Sequence, residues 1–382
     1  MKRWLFTTVA ALALVGLAQQ APGAHPGRLV VADAKDGSLK VLDLETAQVV
    51  GTFSTPGPAN VYPVTGTPYV FAVHREANRV SVVYSGLWLE DHGDHEDLLL
   101  EKPYVFATLN TGPKPTHYFN HGHHAAIFND GDGTVAVFDT RKLGVVADFK
   151  EYATGAPDHG APVVMGDALL SGSLNRGVVE VYTLAGRKVL EFPGCPRLHG
   201  EAVAGNTTAF GCDDGVLLLE RRGNGFAARK LAEPAGSPAN ARVGPLVAHQ
   251  AHPFFIGNFG QGLARLDARF TPYPLPANPV RFAFSADGRY LVVLTADGRL
   301  HVLEPADGKV LRSLGVVGPV AAGGEGAVRP SLAVGTEHAY VADPQKGVVL
   351  EVELANLQVR RSFEVGGTPL SLALVWLEGV RH

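Results

Sequence analysis

Apolar and polar residues alternate along the chain in a way that predicts short β-strands joined by tight turns. The commonest unit is a turn residue, mostly glycine, followed by an alternating or continuous apolar run. Eight copies begin at Gly37, Asn78, Gly133, Gly177, Gly215, Gly262, Gly298 and Gly347. Most copies follow another apolar run and a polar turn such as 296–298, which is typical of a β-hairpin because Asp-Gly accepts positive φ. A third apolar segment, for example 309–314, usually follows.

The spacing of these units predicts the architecture. Successive copies lie 36 to 55 residues apart, which fits the blades of a β-propeller. The first unit begins at Leu29 with no strand before its hairpin, whereas the chain ends on an extra apolar segment, 369–376. Pairing that segment with the first blade would close the ring and remove two exposed sheet edges. We predict an all-β fold with one eight-bladed propeller; a seven-bladed ring and a two-domain β-sandwich are the alternatives.

The N-terminus has the pattern of a signal peptide. Two basic residues precede an apolar stretch from Trp4 to Leu17, and Gly16 and Ala18 are small residues at the two positions that a signal peptidase reads. The stretch is too short to span a bilayer, and no later stretch approaches the ~18 uninterrupted apolar residues that a transmembrane helix requires. We therefore predict a signal peptide at 1–18 and an exported propeller domain at 19–382 without a membrane span. A retained membrane anchor is the alternative.

Composition narrows the partners and the compartment. A net charge of −4 disfavours nucleic acid, which usually requires a basic protein face. Hydrophobic residues make up 46% of the chain, enough for a large core, and 45 glycines fit many turns. Cys195 and Cys212 are expected to form one disulfide, which two neighbouring strands could bring together in an oxidising compartment. Two free thiols or thiolate metal ligands are the alternatives.

Several of the 15 histidines are clustered. His92 and His95 lie among five carboxylates within 90–97, and no apolar periodicity covers that stretch. We predict a loop rich in His, Asp and Glu, inserted at 88–102. Tracts that mix His with carboxylates suit a divalent cation such as zinc. A solvated acidic loop is the alternative.

A second group of histidines occupies equivalent positions in three consecutive repeats. His117, His159 and His199 each stand shortly before the innermost strand of a predicted blade. Because inner strands surround the central channel, such positions converge at its mouth. Three imidazoles with an open fourth position are a typical zinc site. The fourth ligand or a supporting group could come from residues nearby in sequence or at the neighbouring blade: His121, His123, His124, Asp158 or Glu201. A buried or capping role is the alternative for each histidine taken alone.

Four blocks that carry this chemistry resemble the AztD family of zinc metallochaperones. They are 89–97, 112–117, 126–133 and 198–201. The resemblance implies a periplasmic propeller that binds Zn²⁺ and passes it to the solute-binding protein of a zinc ABC transporter. It also implies that the His92/His95 segment and the His117, His159 and His199 cluster bind zinc, and that the protein is not an enzyme.

Two other classes of function remain as alternatives, a metal-dependent propeller hydrolase and a protein-interaction propeller. Propeller lactonases hold calcium through oxygen ligands, which the imidazoles do not provide. A zinc hydrolase would use three histidines and a zinc-bound hydroxide, but the sequence identifies no unique general base or substrate cleft. A protein-interaction propeller explains the repeats and leaves the histidines without a role.

Overall fold

Eight four-stranded antiparallel sheets make up the protein, as seen in a computed structural model that describes residues 26–238, 241–320 and 328–380. Each predicted repeat supplies the third strand of one sheet, counted outward from the channel. The first strands of neighbouring sheets contact each other around that channel. The predicted all-β fold with eight propeller blades is therefore confirmed. The predicted signal peptide at 1–18 lies outside the described residues.

The strands are short, mostly four to seven residues long. The first half of the chain contains β1 (Arg28–Asp33), β2 (Leu39–Asp43), β3 (Gln48–Phe53), β4 (Asn60–Pro63), β5 (Tyr69–His74), β6 (Arg79–Tyr84), β7 (Leu87–Asp91), β8 (Glu96–Leu100), β9 (Tyr104–Leu109), β10 (Pro115–His121), β11 (His124–Asn129), β12 (Thr134–Asp139), β13 (Lys150–Ala153), β14 (Gly160–Met165), β15 (Ala168–Ser173), β16 (Val178–Thr183) and β17 (Lys188–Pro193). The second half contains β18 (Glu201–Ala204), β19 (Thr207–Cys212), β20 (Gly215–Arg222), β21 (Gly225–Ala232), β22 (Leu246–Ala248), β23 (Phe255–Phe259), β24 (Gly262–Leu266), β25 (Phe270–Tyr273), β26 (Pro279–Phe284), β27 (Leu291–Thr295), β28 (Arg299–Leu303), β29 (Val310–Gly315), β30 (Ser331–Val334), β31 (His338–Asp343), β32 (Val348–Glu353), β33 (Gln358–Glu364) and β34 (Pro369–Val375). A single 3-10 turn, Thr140–Lys142, accompanies them in the described residues.

The C-terminal strand closes the ring, as predicted. Strand β34 pairs antiparallel with β1 and is the innermost strand of blade 1, whose order is β3-β2-β1-β34. Blade 2 has the order β4-β5-β6-β9, and each later blade consists of four consecutive strands. Because the last strand completes the first sheet, the ring joins its two ends through backbone hydrogen bonds.

The strand directions define two faces. We call the face where the inner strands begin the entry face, and the face where they end the exit face. Turns between the second and third strands lie on the entry face. Connections from the first to the second strand and from the third to the fourth lie on the exit face. This assignment decides which histidines can meet.

The insertion in blade 2 differs from the prediction. The segment expected to be a loop is mainly a hairpin, in which β7 pairs with β8 from Leu87↔Leu100 to Asp91↔Glu96. Leu87 and Leu98 are buried in the core of blades 1 and 2, and backbone bonds join Glu96 and Leu98 to Val380. The hairpin could not be predicted because residues 90–97 are polar and show no apolar alternation. Backbone pairing and the two buried leucines stabilise it, and it has no continuous apolar face.

The core consists of apolar clusters between adjacent blades, with side chains from the middle strands of each sheet. One cluster contains the predicted disulfide between Cys195 and Cys212, which is present. Cys195 therefore ties the segment that leads into β18 to the end of β19. In the described part of the chain, no helix has the length and apolarity needed to cross a membrane.

Candidate metal centre

Three inner strands place three histidines at the mouth of the channel on the entry face. His117 is the third residue of β10, His159 immediately precedes β14, and His199 stands two residues before β18. The register of β10 shifts between Pro115 and Tyr118, which is a local irregularity that re-aims side chains. Gly200, next to His199, has φ +82°, and a Cβ there would lie 2.2 Å from the carbonyl oxygen of Gly244. That close approach requires glycine.

The predicted convergence of these histidines is present. The Nε2 atoms of His117 and His159 are 2.9 Å apart. The ring centroid of His199 lies 5.2 Å from each of the other two. One ligand nitrogen from each residue lies within 4.8 Å of the other two. Across the described ranges, no other group of three or more His, Cys, Asp or Glu residues meets that distance.

Asp130 supports the cluster, although the sequence analysis did not single it out as a site residue. It lies in the turn between β11 and β12 on the entry face, and its Oδ2 accepts a hydrogen bond from His159 Nδ1 at 2.9 Å. Arg75 from blade 2 reaches the same oxygen at 3.3 Å. The contact places the His159 proton on Nδ1 and directs the Nε2 lone pair toward the other imidazoles.

Glu201 lies beside the cluster at the start of β18. Its Oε1 is 3.8 Å from His117 Nδ1. The other oxygen, Glu201 Oε2, is buried without a hydrogen-bond partner, and so is Asp130 Oδ1. Buried carboxylate oxygens without partners are costly, so these two are available to a cation.

The environment gives the imidazoles different proton affinities. Burial lowers the pKa of His199 to about 4, helped by the nearby His117, His159 and Arg242. Burial also acts to lower the pKa of His117, but the nearby Glu201 carboxylate, together with Asp130, outweighs it and raises that pKa. His199 is therefore neutral at ordinary pH and ready to donate its lone pair. Because its pKa is raised, protons compete with a metal more strongly at His117 than at His199.

The donor set fits a borderline divalent cation. Tetrahedral Zn²⁺ with imidazole nitrogens at about 2.0–2.1 Å needs ligand nitrogens roughly 3.3 Å apart. The observed 2.9 Å between His117 and His159 requires only a small separation of the two rings. Three imidazoles leave a fourth position open. Glu201 lies on the Nδ1 side of His117, where its carboxylate can orient that ring.

The other residues that were predicted to contribute to this site do not reach the three imidazoles. Asp158 is held by Ser173 and Asn175, so its carboxylate organises the turn before β14. His121, His123 and His124 lie at the β10–β11 turn on the exit face. They cannot supply the fourth ligand, because the whole of β10 separates them from His117. Sequence proximity suggested a shared site, but a strand carries its two ends to opposite faces.

His92 and His95 also lie on the exit face, at the tip of the β7–β8 hairpin. His92 Nε2 is 3.3 Å from Asp97 Oδ2, and His95 Nε2 is 3.2 Å from Asp97 Oδ1. Glu90 lies 3.6 Å from His92. The hairpin is attached to β6, whose six residues span about 20 Å from one face to the other. The hairpin tip and His117 therefore lie on opposite faces of the propeller.

Comparisons with known proteins agree with the fold and with the resemblance seen in the sequence. No protein-family model matches the chain. The zinc chaperone AztD of Citrobacter koseri is 27% identical over 401 residues, covering 100% of this chain and 95% of that protein. Its crystal structure superposes with a TM-score of 0.86 at 26% identity, covering 94% of this chain and 100% of that chain. The full-length match confirms the resemblance to AztD.

A more distant structure has the same fold but a different function. Dihydro-heme d1 dehydrogenase NirN superposes with a TM-score of 0.64 at 12% identity, covering 94% of this chain and 78% of that chain. That likeness concerns the fold only. Because one architecture carries both a chaperone and a dehydrogenase, function has to be argued from the site.

Proposed function

We propose that this protein is a periplasmic zinc chaperone, exported by the signal peptide at 1–18. It binds Zn²⁺ at the entry face and delivers it to the solute-binding protein of a zinc ABC transporter. The observation that carries the proposal is the convergence of His117, His159 and His199 from three consecutive blades. The full-length similarity to a zinc chaperone supports the choice of cargo.

The geometry suits a cargo site that can also release its metal. The three histidines come from rigid inner strands, so the site is preorganised for zinc. The ring side chains are 19% and 31% exposed at His117 and His159, which leaves them within reach of a partner protein. An imidazole from the acceptor can enter the open fourth position before a histidine of this chain leaves. Such ligand exchange transfers zinc without passing through the free ion.

The hairpin is proposed as a second zinc-binding element on the other face. Both imidazoles face the Asp97 carboxylate, and the His92 and His95 rings stack at a centroid distance of 5.4 Å. The side chains of His92 and His95 are 45% and 36% exposed, so this element loads and unloads more readily than the entry-face centre. Because the hairpin lies on the opposite face, it takes no part in the transfer of zinc from the entry-face site to an acceptor.

The test of delivery is a stopped-flow comparison of two acceptors. Zinc-loaded protein is mixed either with the purified solute-binding protein or with a small chelator that reports only spontaneous dissociation. We expect transfer to the solute-binding protein to be faster than dissociation and to rise with acceptor concentration, because an entering ligand assists release. A variant with His92→Ala and His95→Ala keeps that advantage, since the hairpin lies on the opposite face. Transfer no faster than dissociation would contradict direct delivery and would indicate that the protein only stores zinc.

A further inference from the structure

The channel mouth has a second half that the zinc proposal does not use. In blade 7, Arg281 is the third residue of β26, the position that His117 occupies in β10. Both strands begin with proline and shift register at that point. In blade 8, Arg329 stands two residues before β30, as His199 stands before β18. Blades 3 and 7 are opposite in an eight-membered ring, so the arginines face the histidine cluster across the channel.

These two arginines share a pocket whose described lining residues include no Asp or Glu. The cavity has a volume of about 340 Å³ and is lined mainly by Pro245, Val247, Asn258, Asn278, Arg281 and Arg329. In the described part of the chain, neither guanidinium forms an ion pair with a carboxylate. Arg281 donates one hydrogen bond, to the carbonyl oxygen of Val280 at 2.9 Å. Most of its donors therefore remain available to a ligand.

The electrostatics of the pocket favour an anion. Arg281 is open to water along the channel, yet the inner strands surround it. This confinement and the like charge of Arg329 lower the pKa of Arg281. Tyr62, on the inner strand β4 of blade 2, has its pKa raised to about 12 mainly by burial, so it stays neutral. Among the described residues, no carboxylate pairs with either guanidinium, so the two positive charges repel each other. A bound anion would relieve that repulsion.

We propose that Arg281 and Arg329 form a binding site for a small oxyanion, a carboxylate or a phosphate, at the channel mouth opposite the metal centre. Each guanidinium presents a planar fork of donors that matches two oxygens of such a group. The cavity volume is in the range of small-molecule sites, and proline and valine residues form part of its wall. The site is separate from the proposed function, because none of its residues belongs to the histidine cluster.

The experiment is isothermal titration of the metal-free protein with succinate and, separately, with inorganic phosphate at constant ionic strength. We expect saturable binding of at least one probe, and the stronger one identifies the class of ligand. Arg281→Gln and Arg329→Gln should each weaken binding roughly tenfold or more, because each removes charge-assisted hydrogen bonds. Arg312→Gln, an exposed change on outer strand β29, is the matched control and should leave binding unchanged.

Folding and zinc binding are measured on the same variants. Removing one of two repelling charges should leave the unfolding temperature unchanged or raise it, so loss of anion binding would not reflect misfolding. A variant lacking His117, His159 and His199 should still bind the anion, which separates this site from the zinc proposal. Absence of saturable binding of both probes to the wild-type protein, or unchanged binding in the double Arg281→Gln, Arg329→Gln variant, would overturn the assignment.

Discussion

At the scale of single residues, the metal centre depends on contacts that orient its histidines. His159 is the clearest case, because Asp130 holds its Nδ1 at 2.9 Å and Arg75 holds Asp130. The histidines could be predicted, since the same position recurs in three repeats. Asp130 could not, because Asp-Gly turns recur at many blades and the sequence does not say which one faces the channel. The pairing depends on the ring bringing blades 2, 3 and 4 together.

Asp130→Asn should weaken zinc binding by about 10–100-fold, the usual effect of losing a carboxylate behind a metal-bound histidine. The asparagine keeps the size of the side chain, so the unfolding temperature should change little. The measurement is a competition titration against a zinc chelator of known affinity. Asp148→Asn, at an exposed surface ion pair, serves as the control and should not alter affinity. Equal affinity in the two variants would show that Asp130 does not position His159 for the metal.

At the scale of elements, the direction of each strand decides which predicted site residues meet. Strand β10 carries His117 at its start and His121 at its end, so the two lie on opposite faces. The β7–β8 hairpin continues from the exit-face end of β6 and carries His92 and His95 away from the channel site. The insertion could be predicted from the sequence but its strands could not, because 90–97 contains no apolar alternation. Its anchoring by Leu87 and Leu98 becomes visible only once the C-terminal segment is placed beside it.

Adjacent residues of β8 provide a direct test of this anchoring. Leu98 is 3% exposed, whereas Leu99 is 39% exposed on the other side of the hairpin. Leu98→Ala should destabilise the protein by about 2–4 kcal/mol through lost burial and a residual cavity, and Leu99→Ala should have a much smaller effect. Thermal and denaturant unfolding midpoints measure the difference. Neither change should alter zinc affinity at the entry face. Equal unfolding midpoints for the two variants would mean that the hairpin packs differently.

At the scale of the whole molecule, the ring divides the channel mouth into two chemically different halves. Blades 3, 4 and 5 supply imidazoles, and blades 7 and 8 supply arginines at equivalent positions. Blade number and ring closure could be predicted from eight repeats and an orphan terminal segment. That the two halves face each other could be inferred only from the closed ring, because blade 7 lies across from blade 3 only when the ring has eight blades. The repeat therefore presents different side chains on one common scaffold.

The most direct test of the account is zinc binding by the variant His117→Ala, His159→Ala, His199→Ala, measured by competition titration beside the wild-type protein. We predict that the variant stays folded and loses the tightest-binding zinc equivalent, because no remaining group in the described residues offers three converging ligands. The variant His92→Ala, His95→Ala is the matched control and should retain that equivalent. Unchanged stoichiometry and affinity in the triple variant would contradict the assignment of the metal centre to the entry face.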